Sequence, residues 1–179
     1  PNIKLDVQNH SSSSAHDLLK NKEIDVAFVN TESPFAGVQN EEVFREDFVV
    51  LRYTDHPEAR AVAPSELDVA HEIFEDFSSV YYQWHCKYFD LRKCKVRVNT
   101  PLLIPALMKS EGDWCILPLS TARHIKLSND GFQIHPLIDP PPARICYVEY
   151  LNSGFESSKD INQLLIELRE FIKQHVGPA

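Results

Sequence analysis

No window of the sequence approaches the ~18 uninterrupted apolar residues that a membrane-spanning helix needs, and no basic segment followed by an apolar one opens it. Neither a transmembrane span nor a secretion signal is therefore expected. Low-complexity sequence is confined to the four serines Ser11 to Ser14, whereas ten Phe, six Tyr and two Trp are spread along the 179 residues. That distribution excludes a disordered tail, a collagenous repeat and a coiled coil. Cysteine is sparse: Cys86, Cys94, Cys115 and Cys146 form no CxxC pair and no dense framework, so a disulfide scaffold is not indicated and a reducing cytoplasm is the simpler setting. Catalytic signatures are missing too. The chain has no phosphate-binding loop, no Gly-x-Ser-x-Gly, no His-Glu-x-x-His and no nucleophile-base pair, and scattered carboxylates alone are not an active site. The expectation is a protein that is not an enzyme and needs neither cofactor nor metal. Positive charge is also in short supply, with 18 Lys plus Arg against 26 carboxylates and a net charge of −8. Such a balance repels phosphate backbones, so these residues should not grip duplex DNA themselves; a small ligand or a protein partner fits better.

What is present describes a soluble globular protein of one domain or two small lobes, with 43% hydrophobic and 25% charged residues. The first residue is Pro1 and Ile3-Lys4-Leu5-Asp6-Val7 already alternates as a strand does, so the sequence reads as beginning partway into a longer polypeptide. After that expected strand, Ser11 or Ser12 can cap a helix through Leu18 and Leu19, and Ile24 to Val29 is a β-branched run typical of a strand buried on both faces. Val38 to Phe44 and Phe48 to Tyr53 read as strands, and Asp55-His56-Pro57 leads by a loop to a short helix at Pro64-Ser65-Glu66-Leu67 with Ser65 as its cap. Beyond Ile73 and Phe74 the pattern repeats in kind: a helix over Val80 to Phe89, a strand at Val96 to Val98, a helix over Leu102 to Met108, a strand at Trp114 to Leu117, a short helix over Ser120 to Ile125, and a strand at Arg144 to Leu151. Ile161, Leu164, Leu165, Leu168, Phe171 and Ile172 then recur at three- and four-residue spacing, which predicts an amphipathic terminal helix that must dock on a lobe. Strands and helices alternating twice over imply two α/β lobes with a ligand cleft between them, because open parallel sheets present helix N-termini at the carboxyl ends of their strands.

The thiols leave three readings open. His85-Cys86 with Cys94 has the look of half a zinc site, although no second ligand pair follows. Lys87, Arg92, Lys93 and Lys95 would lower the pKa of Cys86 or Cys94, as a redox-sensing pair requires. Ordinary partly buried thiols are the third. The basic run that also includes Arg97 reads either as a solvated face or as a lining that would favour an anionic ligand.

Several segments, taken in order, carry a family likeness. The stretch Ile3 to Val7 with Ser11, Leu18-Leu19 and Glu23-Ile24-Asp25-Val26-Ala27-Phe28-Val29 is followed by Phe44-Arg45-Glu46-Asp47-Phe48-Val49-Val50-Leu51, His56-Pro57, Pro64-Ser65-Glu66-Leu67 and Gly112-Asp113-Trp114-Cys115-Ile116-Leu117-Pro118. In this order and spacing, over about nine tenths of the chain, the sequence resembles the effector-binding domain of LysR-type transcriptional regulators. The resemblance implies an α/β fold of two Rossmann-like lobes, similar to type 2 periplasmic binding proteins, with residues 1–72 plus 154–179 as lobe I, 73–153 as lobe II, and hinges near residues 72 to 77 and 152 to 157. It implies a small-molecule effector in the interlobe cleft and DNA binding only through an N-terminal helix-turn-helix domain absent here. It further implies a homodimer or homotetramer, with the helix from Ser11 and the strand from Val96 as pairing elements, a cytoplasmic location and no membrane. Two departures stand out: the family's first strand and helix should precede Pro1, and Glu111-Gly112-Asp113 stands where many members have a Gly-x-Gly turn.

Carried over by position, Ser11 falls where family members hold an effector carboxylate with a hydroxyl and the following backbone amides, the physical basis being the donor-rich N-terminus of a helix. The alternative is that Ser11 is merely a cap. Asn9 and His10 flank it, and His10 would add a titratable donor. Asn30 and Thr31 end the next strand, Phe77 and Ser78 follow the first crossover between lobes, and Thr100 with Pro101 opens the Leu102 helix. Each of these is also the kind of residue that caps or turns a chain for structural reasons alone. Trp84 reads as a core aromatic or as a pocket floor. The reading that results is a ligand-sensing regulatory domain; a transporter's solute receptor and a Cys86/Cys94 redox sensor are the alternatives.

Overall fold

A computed structural model describes residues 4–55, 60–152 and 159–175. The His56-Pro57 motif and the 153–158 connector, with the hinge expected there, lie outside the described residues. Among the described residues, no helix is long and apolar enough to cross a membrane. The chain separates into two compact units, residues 1–45 with 145–179 and residues 46–144. Both crossings fall earlier than the expected 72/73 and 153/154 boundaries. The reason is that the apolar run from Phe48 builds the sheet of the second unit, which sequence alternation by itself does not reveal.

In unit 1, helix α1 (Ser12–Lys20) packs strand β1 (Val26–Val29), and β1 pairs antiparallel with β8 (Arg144–Leu151), whose other neighbour is β2 (Val38–Glu46). Ser11 caps α1 by accepting the Ser14 N–H at 3.2 Å, as its sequence predicts. The helix stops at Asn21, and Lys22 follows in the left-handed region at φ 61° with the Glu23 N–H returning to Leu18 O at 2.9 Å. Ala15, His16 and Leu19 form its buried face, against Ala27 and Val29. The terminal amphipathic helix, Lys159–His175, docks on this unit by burying Leu165 and by an Arg169 to Glu41 ion pair. In the described part of the strand expected at Ile3 to Val7, residues 4–10 join no ladder and Leu5 and Val7 are exposed. Alternation alone does not make a strand, because its backbone groups need a neighbouring strand to pair with.

Unit 2 is built on β3 (Phe48–Tyr53), β4 (Ile73–Glu75), β5 (Val96–Val98), β6 (Trp114–Pro118) and β7 (Phe132–Pro136). Strand β3 lies between β6 and β7, antiparallel to both, while β4 and β5 are parallel and a Glu72–Trp114 bridge joins β4 to β6 in parallel sense. The sheet is thus mixed, not the open parallel sheet expected; β4, β5 and β6 keep the parallel geometry. Both of its faces are covered. Phe48, Val50, Phe74, Trp114 and Ile116 face one apolar cluster and Val49, Leu51, Ile73, Cys115 and Leu117 the other, so Phe48 to Leu51 and Trp114 to Leu117 read as unbroken apolar runs.

Three helices serve this sheet: α2 (Ser79–Tyr88), α3 (Ile104–Leu107, preceded by a 3-10 turn over Pro101–Leu103) and α4 (Leu119–Lys126). Helix α2 buries Tyr81, Trp84 and His85, an i, i+3, i+4 stripe. At Pro64–Glu66 the expected helix is a single 3-10 turn, and Ser65 does not cap it: Ala63 is the cap residue, its N–H donating to the Glu66 carboxylate at 2.9 Å.

Candidate functional site

The first turn of α1 gathers the hydroxyls of Ser11, Ser12, Ser13 and Ser14. Ser11 Oγ lies 3.1 Å from both Ser13 Oγ and Ser14 Oγ while it caps the Ser14 N–H. The N–H groups of Ser12 and Ser13 have no partner within the helix, as in any first turn, and they carry the positive end of the helix dipole. Ser11, Ser13 and Ser14 are exposed. Ser12 ties this turn to the end of β1: its Oγ donates to Asn30 Oδ1 at 2.5 Å and accepts the Asn30 N–H at 3.2 Å. Of the expected residues in unit 1, the structure therefore brings Ser11, Asn30 and Thr31 together. Asn9 and His10 precede them on an exposed segment, where the His10 imidazole reaches Gln8 Oε1 at 3.0 Å.

Beneath this turn lies a polar network that sequence reasoning missed. His16 is buried on α1, with Nε2 3.1 Å from Thr31 O and 3.4 Å from Glu149 Oε2. Glu149 is fully buried on β8, and its Oε1 accepts the Ser33 N–H at 2.7 Å. Burial raises its carboxyl above the ordinary value, against the lowering influence of His16 and of the Ser33 N–H. The one sequence signal was a histidine on the apolar face of α1; its acidic partner comes from the far end of the chain.

In unit 2, Phe77, Ser78, Thr100 and Pro101 all follow the carboxyl ends of the paired parallel strands β4 and β5. Ser78 caps α2 through the Tyr81 N–H at 3.1 Å, and Thr100 caps the Pro101 turn through the Leu102 N–H at 3.4 Å. Phe77 is half-buried against Phe48 and Tyr81, with ring centroids 5.4 Å from each. Trp84 is a core residue whose indole N–H donates to Asp139 O at 3.0 Å, which favours the core reading over a pocket floor. Glu75, the last residue of β4, is buried, and its Oε2 has no hydrogen-bond partner. Burial pushes its carboxyl up to about 7, with Arg144 pulling the other way. Arg144 in turn lies 3.5 Å from Glu46, whose other oxygen accepts the Ser120 N–H at the start of α4. Burial thus favours the neutral, proton-donating form of Glu75 relative to an exposed carboxyl, a property that no sequence pattern signals.

The basic run is a largely solvated face. Lys87, Arg92, Lys93, Lys95 and Arg97 are exposed; Arg92 pairs with Asp90, and Lys95 holds both oxygens of Asp113 at 2.7 Å. The departure at Glu111-Gly112-Asp113 is a well-anchored turn. Asp113 also accepts the N–H groups of Lys109 and Ser110, Glu111 accepts the Thr54 hydroxyl at 2.7 Å, and Gly112 takes φ +86°.

The Cys94 thiol runs against the redox expectation. Burial pushes the Cys94 thiol up, and Glu72 adds to this, outweighing the lowering by Arg97. Cys86 is exposed, in an open groove of about 520 Å3 also lined by Tyr82, Tyr88 and Leu91. Cys115 and Cys146 are buried. No three His, Cys, Asp or Glu side chains among the described residues group as metal ligands.

The family model described as "LysR substrate binding domain" matches residues 1–173. In structure, the chain is similar to a Corynebacterium glutamicum OxyR mutant at 20% identity and TM-score 0.70, covering 93% of this chain and 54% of that one. It is similar also to the regulatory domain of MexT, a transcriptional activator in Pseudomonas aeruginosa, at 17% identity and TM-score 0.74, covering 91% and 82%. A third likeness is to the BenM effector binding domain with its effector benzoate, at 16% identity and TM-score 0.70, covering 95% and 79%. At these identities the likeness is one of fold, and the chain spans about half the length of the OxyR chain. No curated protein matches.

Proposed function

Because the chain belongs to the LysR substrate binding domain family, we propose that it is the effector-sensing part of a cytoplasmic, oligomeric, DNA-binding transcriptional regulator, and that the N-terminus of α1 receives an anionic group of the effector. The observation that carries the ligand assignment is the exposed, serine-rich first turn of α1, capped by Ser11 and joined to the end of β1 through Ser12 and Asn30. Two unpaired amides, the helix dipole and several hydroxyls suit a carboxylate, which accepts four hydrogen bonds and gains from charge assistance. The benzoate named with BenM is itself a carboxylate, which supports the same class.

Sensing then works by population shift. An effector changes the output of the full-length protein only to the extent that it binds one arrangement of the assembly better than another. DNA contacts belong to a helix-turn-helix domain elsewhere in the full-length protein, consistent with the net charge of −8 here. The solute-receptor and redox alternatives draw no comparable support, since the relatives named are regulators and the Cys94 thiol is pushed up, not down.

A thermal-shift screen of the purified domain against small mono- and dicarboxylates tests the ligand assignment. At least one should raise the melting temperature in the wild type and much less in Ser11→Ala. The same compound should change the affinity of the full-length protein for its operator DNA. Stabilisation only by cationic or neutral apolar compounds would contradict the anionic assignment.

A further inference from the structure

Five hydrogen bonds converge on the short loop from Asn30 to Ser33. Ser12 takes both the side chain and the N–H of Asn30; His16 Nε2 lies 3.1 Å from Thr31 O; Glu149 Oε1 and Asn40 Oδ1 accept the Ser33 N–H at 2.7 and 2.8 Å. His16 and Glu149 also touch each other, at 3.4 Å. The Thr31 carbonyl can only accept, so Nε2 carries a proton toward it. A histidine and a glutamate packed inside a small unit are costly to desolvate, and purely apolar residues at these positions would leave the Thr31 carbonyl and the Ser33 N–H with less support. Their geometry gives that cost a purpose: α1, through His16, and β8, through Glu149, both hold the loop.

We propose that His16 and Glu149 are positioning residues of the α1 anion site, holding Asn30 and Thr31 in register with the first turn of the helix so that ligand meets a preformed set of donors. The inference rests on the assignment of an anionic group to that turn. Neither residue touches the ligand; each acts through the loop. Supporting groups of this kind matter because a site loosened by a fraction of an ångström loses much of its affinity.

The test is an amide-resolved titration of the 15N-labelled domain with sodium benzoate and, separately, sodium sulfate, following Ser12 and Ser13. His16→Leu should weaken binding about tenfold or more, the usual effect of removing an outer support. His16→Gln, whose amide nitrogen stands near the imidazole Nε2 and can donate to Thr31 O, should restore affinity to within about threefold of wild type. Without ligand, the Asn30 and Thr31 resonances should move in His16→Leu and stay in place in His16→Gln. Glu149→Gln, which sets an amide N–H against the Nε2–H, provides a second route if His16→Leu does not fold. Wild-type affinity in both His16→Leu and Glu149→Gln would overturn the positioning role while leaving the anion site intact. Absence of any Ser12 or Ser13 response in the wild type would overturn the anion site itself, and the positioning role with it.

Discussion

Glu75 offers a quantitative test of how burial sets stability in unit 2. Its carboxyl lies at the end of β4, 8% exposed, with one oxygen unpartnered, and burial carries it from the ordinary 4.5 to about 7. A group raised in the folded state is protonated in both states at low pH, so its stabilising share is complete below 4.5. That share declines as pH rises from 4.5 toward 7 and is gone above it. The span of 2.5 pH units, at about 1.36 kcal/mol each, amounts to roughly 3 kcal/mol. Glu75→Gln keeps the shape and stays neutral at every pH. Urea unfolding followed by tryptophan fluorescence reports on the right part of the molecule, because both tryptophans, Trp84 and Trp114, sit in the apolar cluster of unit 2. The wild type should lose up to about 3 kcal/mol relative to Glu75→Gln between pH 5 and pH 8, the two being within about 1 kcal/mol of each other at pH 5. Parallel pH dependences for the two proteins would refute the reasoning, since a paired or solvated Glu75 would have no such window.

Further outcomes follow from other parts of the fold. Asp113 is fully buried; burial opposes its charge, but hydrogen bonds from Lys95, the Ser110 and Lys109 amides and His71 outweigh it and lower its pKa below 3.8. Its contribution is present above 3.8 and is lost as pH falls through the lower folded value, and Asp113→Ala should cost about 3 kcal/mol at pH 7 in chemical denaturation by leaving Lys95 and two amides unpaired. Gly112 stands at φ +86° with nothing within 4 Å of an added Cβ, so Gly112→Ala should cost about 1 kcal/mol through backbone strain alone; an unchanged urea midpoint would deny that strain. Native labelling with a thiol-reactive dye should modify Cys86 quickly and the other three thiols slowly, and Cys86→Ser should abolish the fast phase. A fast phase at Cys94 would revive the redox reading.

Much of the architecture was legible because local signals and tertiary packing agree. Serine before Leu18-Leu19 marked the α1 cap, and the strands expected at Val96 to Val98 and Arg144 to Leu151 coincide with β5 and β8. Strand β7 escaped notice because the alternation of Phe132 to His135 is only four residues long and ends in proline; its identity comes from pairing with β3. The unit boundaries differ from the expected ones for a related reason, since an apolar run announces a buried strand without saying which sheet receives it. At the α1 site the cap was readable and its foundation was not. Ser33 and Glu149 are 116 residues apart, and nothing in either neighbourhood announces that one buried carboxylate supports the loop from the far end of the chain.

The central claim is that the serine-capped first turn of α1 receives the anionic group of an effector. The most direct measurement is a crystal structure of the domain grown with the carboxylate that stabilises it most. Density for the carboxylate within hydrogen-bonding reach of the Ser12 and Ser13 amides and the Ser11 hydroxyl is the predicted result. A bound, stabilising carboxylate found elsewhere, with that turn unchanged, would contradict the account.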